Sequence, residues 1–235
     1  MQDFGAAFGE AFRLLVSLDR DLVEIVALSL RVSLGAVLAA AAIGMPIGAA
    51  LAVARFPGRG AALVALNSLM GLPPVVVGLL VYLALSRAGP LGPLGLLYTP
   101  AAMTMAQMIL VVPIVAAVSR QTIEDMKEEY EEQLRVLGVG PAGMIATLLW
   151  DARFSLLTAL LAGFGRAIAE VGAVIIVGGN INHVTRVMTT AIALETSKGD
   201  LALALGLGLI LLGLAIAVNA AVMVIRRTGN HAAFA

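Results

Sequence analysis

The feature that most constrains this chain is where its charges are missing. No Asp, Glu, Lys, Arg or His occurs between Arg31 and Arg55, Arg59 and Arg87, Arg87 and Arg120, or Asp200 and Arg226. A helix needs about 20 mostly apolar residues to cross about 30 Å of hydrocarbon, and each window is long enough. Buried helices of water-soluble proteins rarely run so far without a charge. Composition agrees: of 235 residues, 60% are hydrophobic and 13% charged, against about a quarter charged in soluble domains. Spans are predicted at about Ile25–Ala54, Ala61–Leu85, Thr99–Val118, Leu156–Gly178 and Leu201–Ile225. Strands of a membrane barrel would alternate with period two; AVLAAAAIGM and LALALGLGLILLGLAIAV do not. The expected fold class is all-α: a polytopic membrane protein with five spans.

Several function classes fall away. Fifteen basic and fifteen acidic residues leave no basic footprint for nucleic acid. No cysteine is present, which excludes disulfides, zinc–thiolate sites and a cysteine nucleophile. His183 and His231 are too far apart in sequence to suggest a metal cluster, and no metal ligands are assigned. No G-x-x-x-x-G-K-[ST] phosphate loop occurs, so any ATP is expected on a separate subunit and no cofactor on this chain; its two intramembrane charges, Arg166 and Glu170, lack a nearby nucleophile or histidine, so it is not expected to be an enzyme.

Residues 1–20 begin MQDFGAAFGEAF and lack the basic start of a signal peptide. Phe4, Ala7, Phe8, Ala11, Phe12, Leu15 and Val16 fall at helical spacing, which predicts an amphipathic helix along the membrane surface; a partly ordered tail is the alternative. Residues 21–227 form the membrane domain and 228–235 a short tail. The distribution of Arg55, Arg59, Arg120, Lys127, Arg135, Arg153, Arg226 and Arg227 favours an N-terminus outside and a C-terminus in the cytoplasm. Pro46, Pro73, Pro74 and Pro113 should bend their helices. Gly35, Ala39, Gly44 and Gly48 offer close helix contact. Five spans are few to enclose a path, so a symmetric homodimer is the economical assembly.

One segment, about 120–153, is polar. Six acids lie between Glu124 and Glu132. Met126, Tyr130, Leu134 and Leu137 form an apolar stripe at helical spacing. Gly138 should end that helix, and Pro141 suits the first turn of a second. MIATLLW is short and strongly apolar. A helix–Gly–helix hairpin of this kind is a shape for docking, because an isolated loop has nowhere to bury such residues; a solvated loop is the alternative.

Arg166 and Glu170 lie four apart inside the fourth span, which predicts one shared helix face. A charge near the membrane centre costs roughly 2.5–3.5 kcal/mol on insertion scales. Either the pair faces a path through the bundle, where Arg166 offers a positive site to a passing ion, or it locks helix packing. Gly179 and Asn180 open an outer segment that either shapes a gate, meets a partner, or is a surface loop. Thr189, Thr190, Ile192, Ala193 and Leu194 suggest a short helix there. Met103, Met105 and Met108 read as packing or pore lining rather than metal-binding.

Glu132-Gln133-Leu134-Arg135-Val136-Leu137-Gly138 resembles the E-A-A-x-x-x-G signature of permease subunits of binding-protein-dependent ABC importers, with Gln133 and Leu134 in place of the alanines. Trp150 and Asp151 stand where that family usually has Leu-Pro. SLRVSLGAVLAAAAIGMPIGAALAVARFPGRG is similar to the family's opening span, and LNSLMGLPPVVVGLLVYLALSRAGPLG to its second. GFGRAIAEVGAVIIVGGNI resembles the fourth span of the molybdate, tungstate and sulfate branch, most of all its tungstate permeases. The resemblance implies a type I importer permease in the plasma (inner) membrane, with the 120–153 loop forming cytoplasmic coupling helices. It implies a second copy of this chain, a separate cytoplasmic ATPase pair that binds ATP and Mg, and an extracytoplasmic oxyanion-binding protein. Glu131, Glu132, Arg135, Gly138 and Met144 would then serve ATPase coupling. Molybdate and sulfate remain alternative cargoes. A self-contained secondary transporter is the rival class, though only Glu170 offers it an intramembrane carboxylate.

Overall fold

A computed structural model describes residues 9, 12, 13, 16, 17 and 19–233, with side chains described as far as residue 225. Most of the predicted N-terminal amphipathic segment lies outside the described residues; Phe12 and Val16 are described and exposed. Among the described residues the chain is helical. The α-helices are α1 (Arg20–Val53), α2 (Arg59–Met70), α3 (Pro74–Leu85), α4 (Pro100–Val136), α5 (Pro141–Asp151), α6 (Leu157–Ile168), α7 (Gly172–Gly178), α8 (Met188–Lys198) and α9 (Leu201–Ala233). Short 3-10 turns occupy Gly92–Leu94 and Ala152–Phe154.

Among the described residues three helices are long and apolar enough to cross a membrane: α1, α4 and α9 within Leu201–Ile225. Two bent pairs pass the same test when joined, which raises the count to as many as five. These are α2 with α3, bent by 96°, and Pro141–Phe154 with α6, bent by 71°.

The second and fourth predicted spans are not single continuous helices. Gly71, Leu72 and Pro73 interrupt the expected Ala61–Leu85 helix, and Pro74 starts α3. Adjacent prolines each lack an N–H and hold φ near −65°, so the helix stops and restarts at a new angle. The expected Leu156–Gly178 helix breaks after Ile168, and α6 alone is about 18 Å long, short of a full crossing. Pro46 and Pro113 remain inside α1 and α4. The third predicted span runs on without interruption into the polar segment.

The chain folds as two compact units, each drawn from three stretches. The first comprises Met1–Gly35, Pro73–Gln107 and Ala167–Ala217. Here α3 and α7 approach backbone to backbone: a Cβ on Gly78 would lie 2.7 Å from Ala173 Cα. Gly178 likewise leaves room for Met103, whose Sδ would be 2.9 Å from an added Cβ. Met103 is fully buried, as packing requires.

The second unit comprises Ala36–Leu72, Met108–Arg166 and Val218–Ala235. Gly44 and Gly48 of α1 lie directly against the α4 backbone, where added Cβ atoms would fall 3.0 Å from Val112 O and 2.4 Å from Ala116 O. Small residues at helix contacts are how bundles pack where lipid supplies no hydrophobic drive. Gly163 of α6 leaves room for Val111, whose Cγ1 would be 2.8 Å from an added Cβ.

Candidate functional site

The polar segment folds as a hairpin. α4 continues to Val136, and Gly138 adopts φ +73°. The N–H of Gly138 donates to Arg135 O at 2.9 Å and that of Val139 to Leu134 O at 3.0 Å. These bonds satisfy the last carbonyls of the helix in a left-handed glycine termination. Gly140 is extended and Pro141 opens α5. The hairpin and its glycine stand where the sequence places them.

Its inner face is a core. Met144, Leu148, Ala152 and Leu156 bury themselves with Ile123 of α4 and with Ala49, Ala52 and Val53 at the end of α1. Met126, Tyr130 and Leu134 pack on this cluster. Leu137, the fourth residue of the predicted stripe, does not join them: it is 76% exposed, beside Val136 at 89%. The helix has ended there, so helical spacing no longer directs the side chain inward. Trp150 is 69% exposed, with the Arg153 guanidinium 4.9 Å from its ring centroid. The hairpin thus presents apolar side chains outward as well as inward.

The predicted coupling residues separate by position. Glu132, Arg135 and Gly138 are exposed. Glu131 is half-buried and pairs with Arg135 and, at 3.4 Å, with Arg55. Met144 is buried in the hairpin core, so it supports the hairpin from within.

A second layer of charge, missed in the sequence because its members are far apart, lies where α1 meets α4. Arg59 Nε donates to Leu51 O at 2.8 Å, and its Nη2 to Glu124 Oε1 at 2.5 Å. Arg120 holds the other Glu124 oxygen. Lys127 Nζ donates to Ala52 O at 3.2 Å. Cations thus meet the C-terminal carbonyls of α1, where the helix dipole favours them. An open cavity of about 290 Å³ is lined by Arg55, Arg59, Lys127, Glu124, Glu128 and Glu131.

The second candidate region is the break between α6 and α7. Arg166 lies on α6 and Glu170 beyond its end, so the predicted single helix face for the pair does not form. Glu170 is 3% exposed, and its Oε1 accepts the Ala173 N–H at 3.0 Å, capping α7. Its carbonyl accepts from Thr189 Oγ1 at 2.8 Å. Gln107 Nε2 donates to Ala167 O at 2.9 Å. A break at membrane depth is tolerable when side chains satisfy the freed backbone groups, and these three do so. Ser29, Ser33, Gln107 and Thr189 line a cavity here with room for about one water.

Gly179 and Asn180 follow α7 with φ +71° and +50°. An added Cβ on Gly179 would lie 2.9 Å from Tyr98 Cδ1, so the tyrosine ring occupies the space a side chain would need. Tyr98 also has φ +62°, and its N–H donates to Val177 O at 3.0 Å. A side-chain hydrogen bond with Tyr82 holds its hydroxyl above the usual phenol range. Asn180 Nδ2 donates to Thr190 O at 3.4 Å. The expected short helix is α8. His183 is an exposed residue whose Nδ1 lies 2.9 Å from Glu24 Oε2. Asp21, Glu24 and His183 bring ligand atoms within 4.8 Å of one another, all on exposed side chains.

Comparison with known proteins decides the family. Residues 44–228 match the family described as "binding-protein-dependent transport system inner membrane component". This chain belongs to that family. It is 40% identical over 222 residues to the tungstate uptake system permease protein TupB of Peptoclostridium acidaminophilum, covering 94% of this chain and 97% of the relative. It is 43% identical over 185 residues to a probable anion ABC transporter permease protein of Haloferax volcanii, covering 77% and 80%. A molybdenum transport system permease protein, ModB of Azotobacter vinelandii, is 31% identical over 160 residues, covering 64% and 70%. The chain is thus a multi-pass membrane component of a transport system rather than an enzyme.

Proposed function

We propose that this chain is the permease subunit of an ATP-driven oxyanion importer, with tungstate as cargo. A relative that it matches over nearly its whole length is described as a tungstate uptake system permease protein. Molybdate and sulfate are the alternatives, since permeases described for those ions match at lower identity. The chain works as a homodimer that encloses the path. A separate cytoplasmic ATPase pair binds ATP and Mg, this chain binds no cofactor, and an extracytoplasmic binding protein delivers the ion. The N-terminus faces outside and the C-terminus the cytoplasm.

The observation that carries this reading is the outward apolar surface of the hairpin. Val136, Leu137 and Trp150 are among its most exposed large side chains, beside a glycine whose added Cβ would meet nothing within 4 Å. Such a surface suits a groove on a partner. Glu132 and Arg135 flank it and supply the polar rim, with Glu131 restraining Arg135. Arg166 and Glu170 border the path, and Gly179 with Asn180 form the outer gate.

Co-purification tests the reading. Leu137→Glu with Trp150→Glu should leave the protein inserted and folded but abolish capture of the ATPase. Retained capture would refute the docking role. Stimulation of hydrolysis in the intact complex by tungstate, and weakly by molybdate and sulfate, identifies the cargo.

A further inference from the structure

We infer that Arg59 is a positioning residue that couples the α4–α5 hairpin to α1, so that a push on the hairpin moves the first membrane helix in register with α4. This rests on the proposed importer function and names residues outside the hairpin as part of its transmission.

Arg59 is placed against its local preference. It is the first residue of α2, following Gly58 at φ +92°. A cation at a helix N-terminus opposes the dipole, which favours anions there. A local rule broken in this way points to a compensating role elsewhere. The compensation is visible: one guanidinium bonds the Leu51 carbonyl near the end of α1 and the Glu124 carboxylate on α4. It therefore joins the last turn of one helix, the first residue of the next and the middle of a third.

Directionality is the reason this contact matters beside a sizeable apolar seam. Ala49, Ala52 and Val53 cluster with Ile123, Met144 and Leu148 through apolar groups. Apolar contact is non-directional, so such a seam permits sliding. The two bonds from the planar Arg59 fork fix distance and angle together. Lys127 on Ala52 O and Arg55 on Glu131 repeat the link further along α4. Arg120 holds the second Glu124 oxygen, so that carboxylate is clamped from both sides. Arg59 and Glu124 are each about one-third exposed, beside the open cavity. The open cavity lets solvent reach whichever group loses its partner, so breaking the pair should leave the fold assembled and show in transmission.

The test uses the complete complex in proteoliposomes: permease, ATPase and loaded binding protein, with tungstate as the probe. Arg59→Gln removes the charge and the fork, whereas Arg59→Lys keeps the charge without the planar fork. Arg59→Gln should keep assembly and ATP hydrolysis within about twofold of wild type while uptake per ATP falls about tenfold. Arg59→Lys should fall between the two. The chain has no cysteine, so a spin label at a cysteine replacing the exposed Leu38 of α1 reads the helix's motion directly. Its ATP-dependent distance change between the two copies should shrink in Arg59→Gln. Normal uptake per ATP in an assembled Arg59→Gln complex would overturn the inference. So would a parallel loss of assembly, hydrolysis and uptake in both variants, since that marks a purely structural residue. If the wild-type complex neither hydrolyses ATP in response to the loaded binding protein nor takes up the anion, the importer reading itself fails and the inference falls with it.

Discussion

Gly48→Ala sets two well-understood effects against each other. Alanine in place of glycine inside a helix gains about 1 kcal/mol of helix propensity. An isolated α1 would therefore be stabilised. In the folded protein the added methyl would lie 2.4 Å from the Ala116 carbonyl oxygen, 2.9 Å from Arg120 N and 3.0 Å from Ser119 Cβ. Ordinary contact begins near 3.4 Å, so α1 and α4 must separate by about 1 Å. Two of the obstructing atoms belong to the backbone and cannot rotate away. Overpacking of this kind costs about 1–3 kcal/mol, and separation also strips contacts from the neighbouring helix surfaces. The cost wins, and the net loss should be about 1–2 kcal/mol. At about 2–4 °C per kcal/mol for a chain of this size, Tm in detergent should fall by about 2–8 °C. Gly213→Ala is the control, because its added Cβ meets nothing within 4 Å; it should hold or raise Tm. A Gly48→Ala protein as stable as wild type, or more so, would refute the close contact between α1 and α4.

Gly138→Ala should cost about 1–2 kcal/mol through its left-handed backbone alone, since no atom obstructs the new methyl. The larger Gly138→Leu should insert normally yet lose substrate-stimulated ATP hydrolysis in the reconstituted complex, and normal stimulation would count against a coupling role. Gln107→Leu removes the side-chain donor to Ala167 O, which keeps its bond from the Glu170 N–H, and should lower stability by about 0.5–1.5 kcal/mol, read as a fall in Tm. Arg166→Gln should reduce anion uptake with assembly intact; unchanged uptake would assign Arg166 to packing.

Much of the architecture was legible as pattern. Charge-free windows of membrane length marked α1, α4 and α9, because the cost of burying charge in hydrocarbon acts residue by residue along the chain. The hairpin was legible too: Gly138 and Pro141 carry their backbone preferences with them wherever they occur. The two helix breaks were harder to read. Pro73-Pro74 announced a bend but not one of 96°. At Ala169–Val171 no proline or glycine announces the break, and Glu170 resembles an intramembrane charge when it also caps a new helix.

Local chemistry in the sequence thus determined that the chain crosses a membrane as helices, where it turns, and where its polar hairpin lies. These follow from hydropathy, dihedral preference and periodicity, all properties of neighbours in the chain. Tertiary structure alone decided which groups meet across long separations. It placed Gln107 on Ala167, Arg59 between Leu51 and Glu124, and Tyr98 over Gly179. It also turned Met144 inward and left Leu137 outside. The reason is that a hydrogen bond or a close packing contact depends on where two distant backbones arrive, and no periodicity within one segment encodes that position.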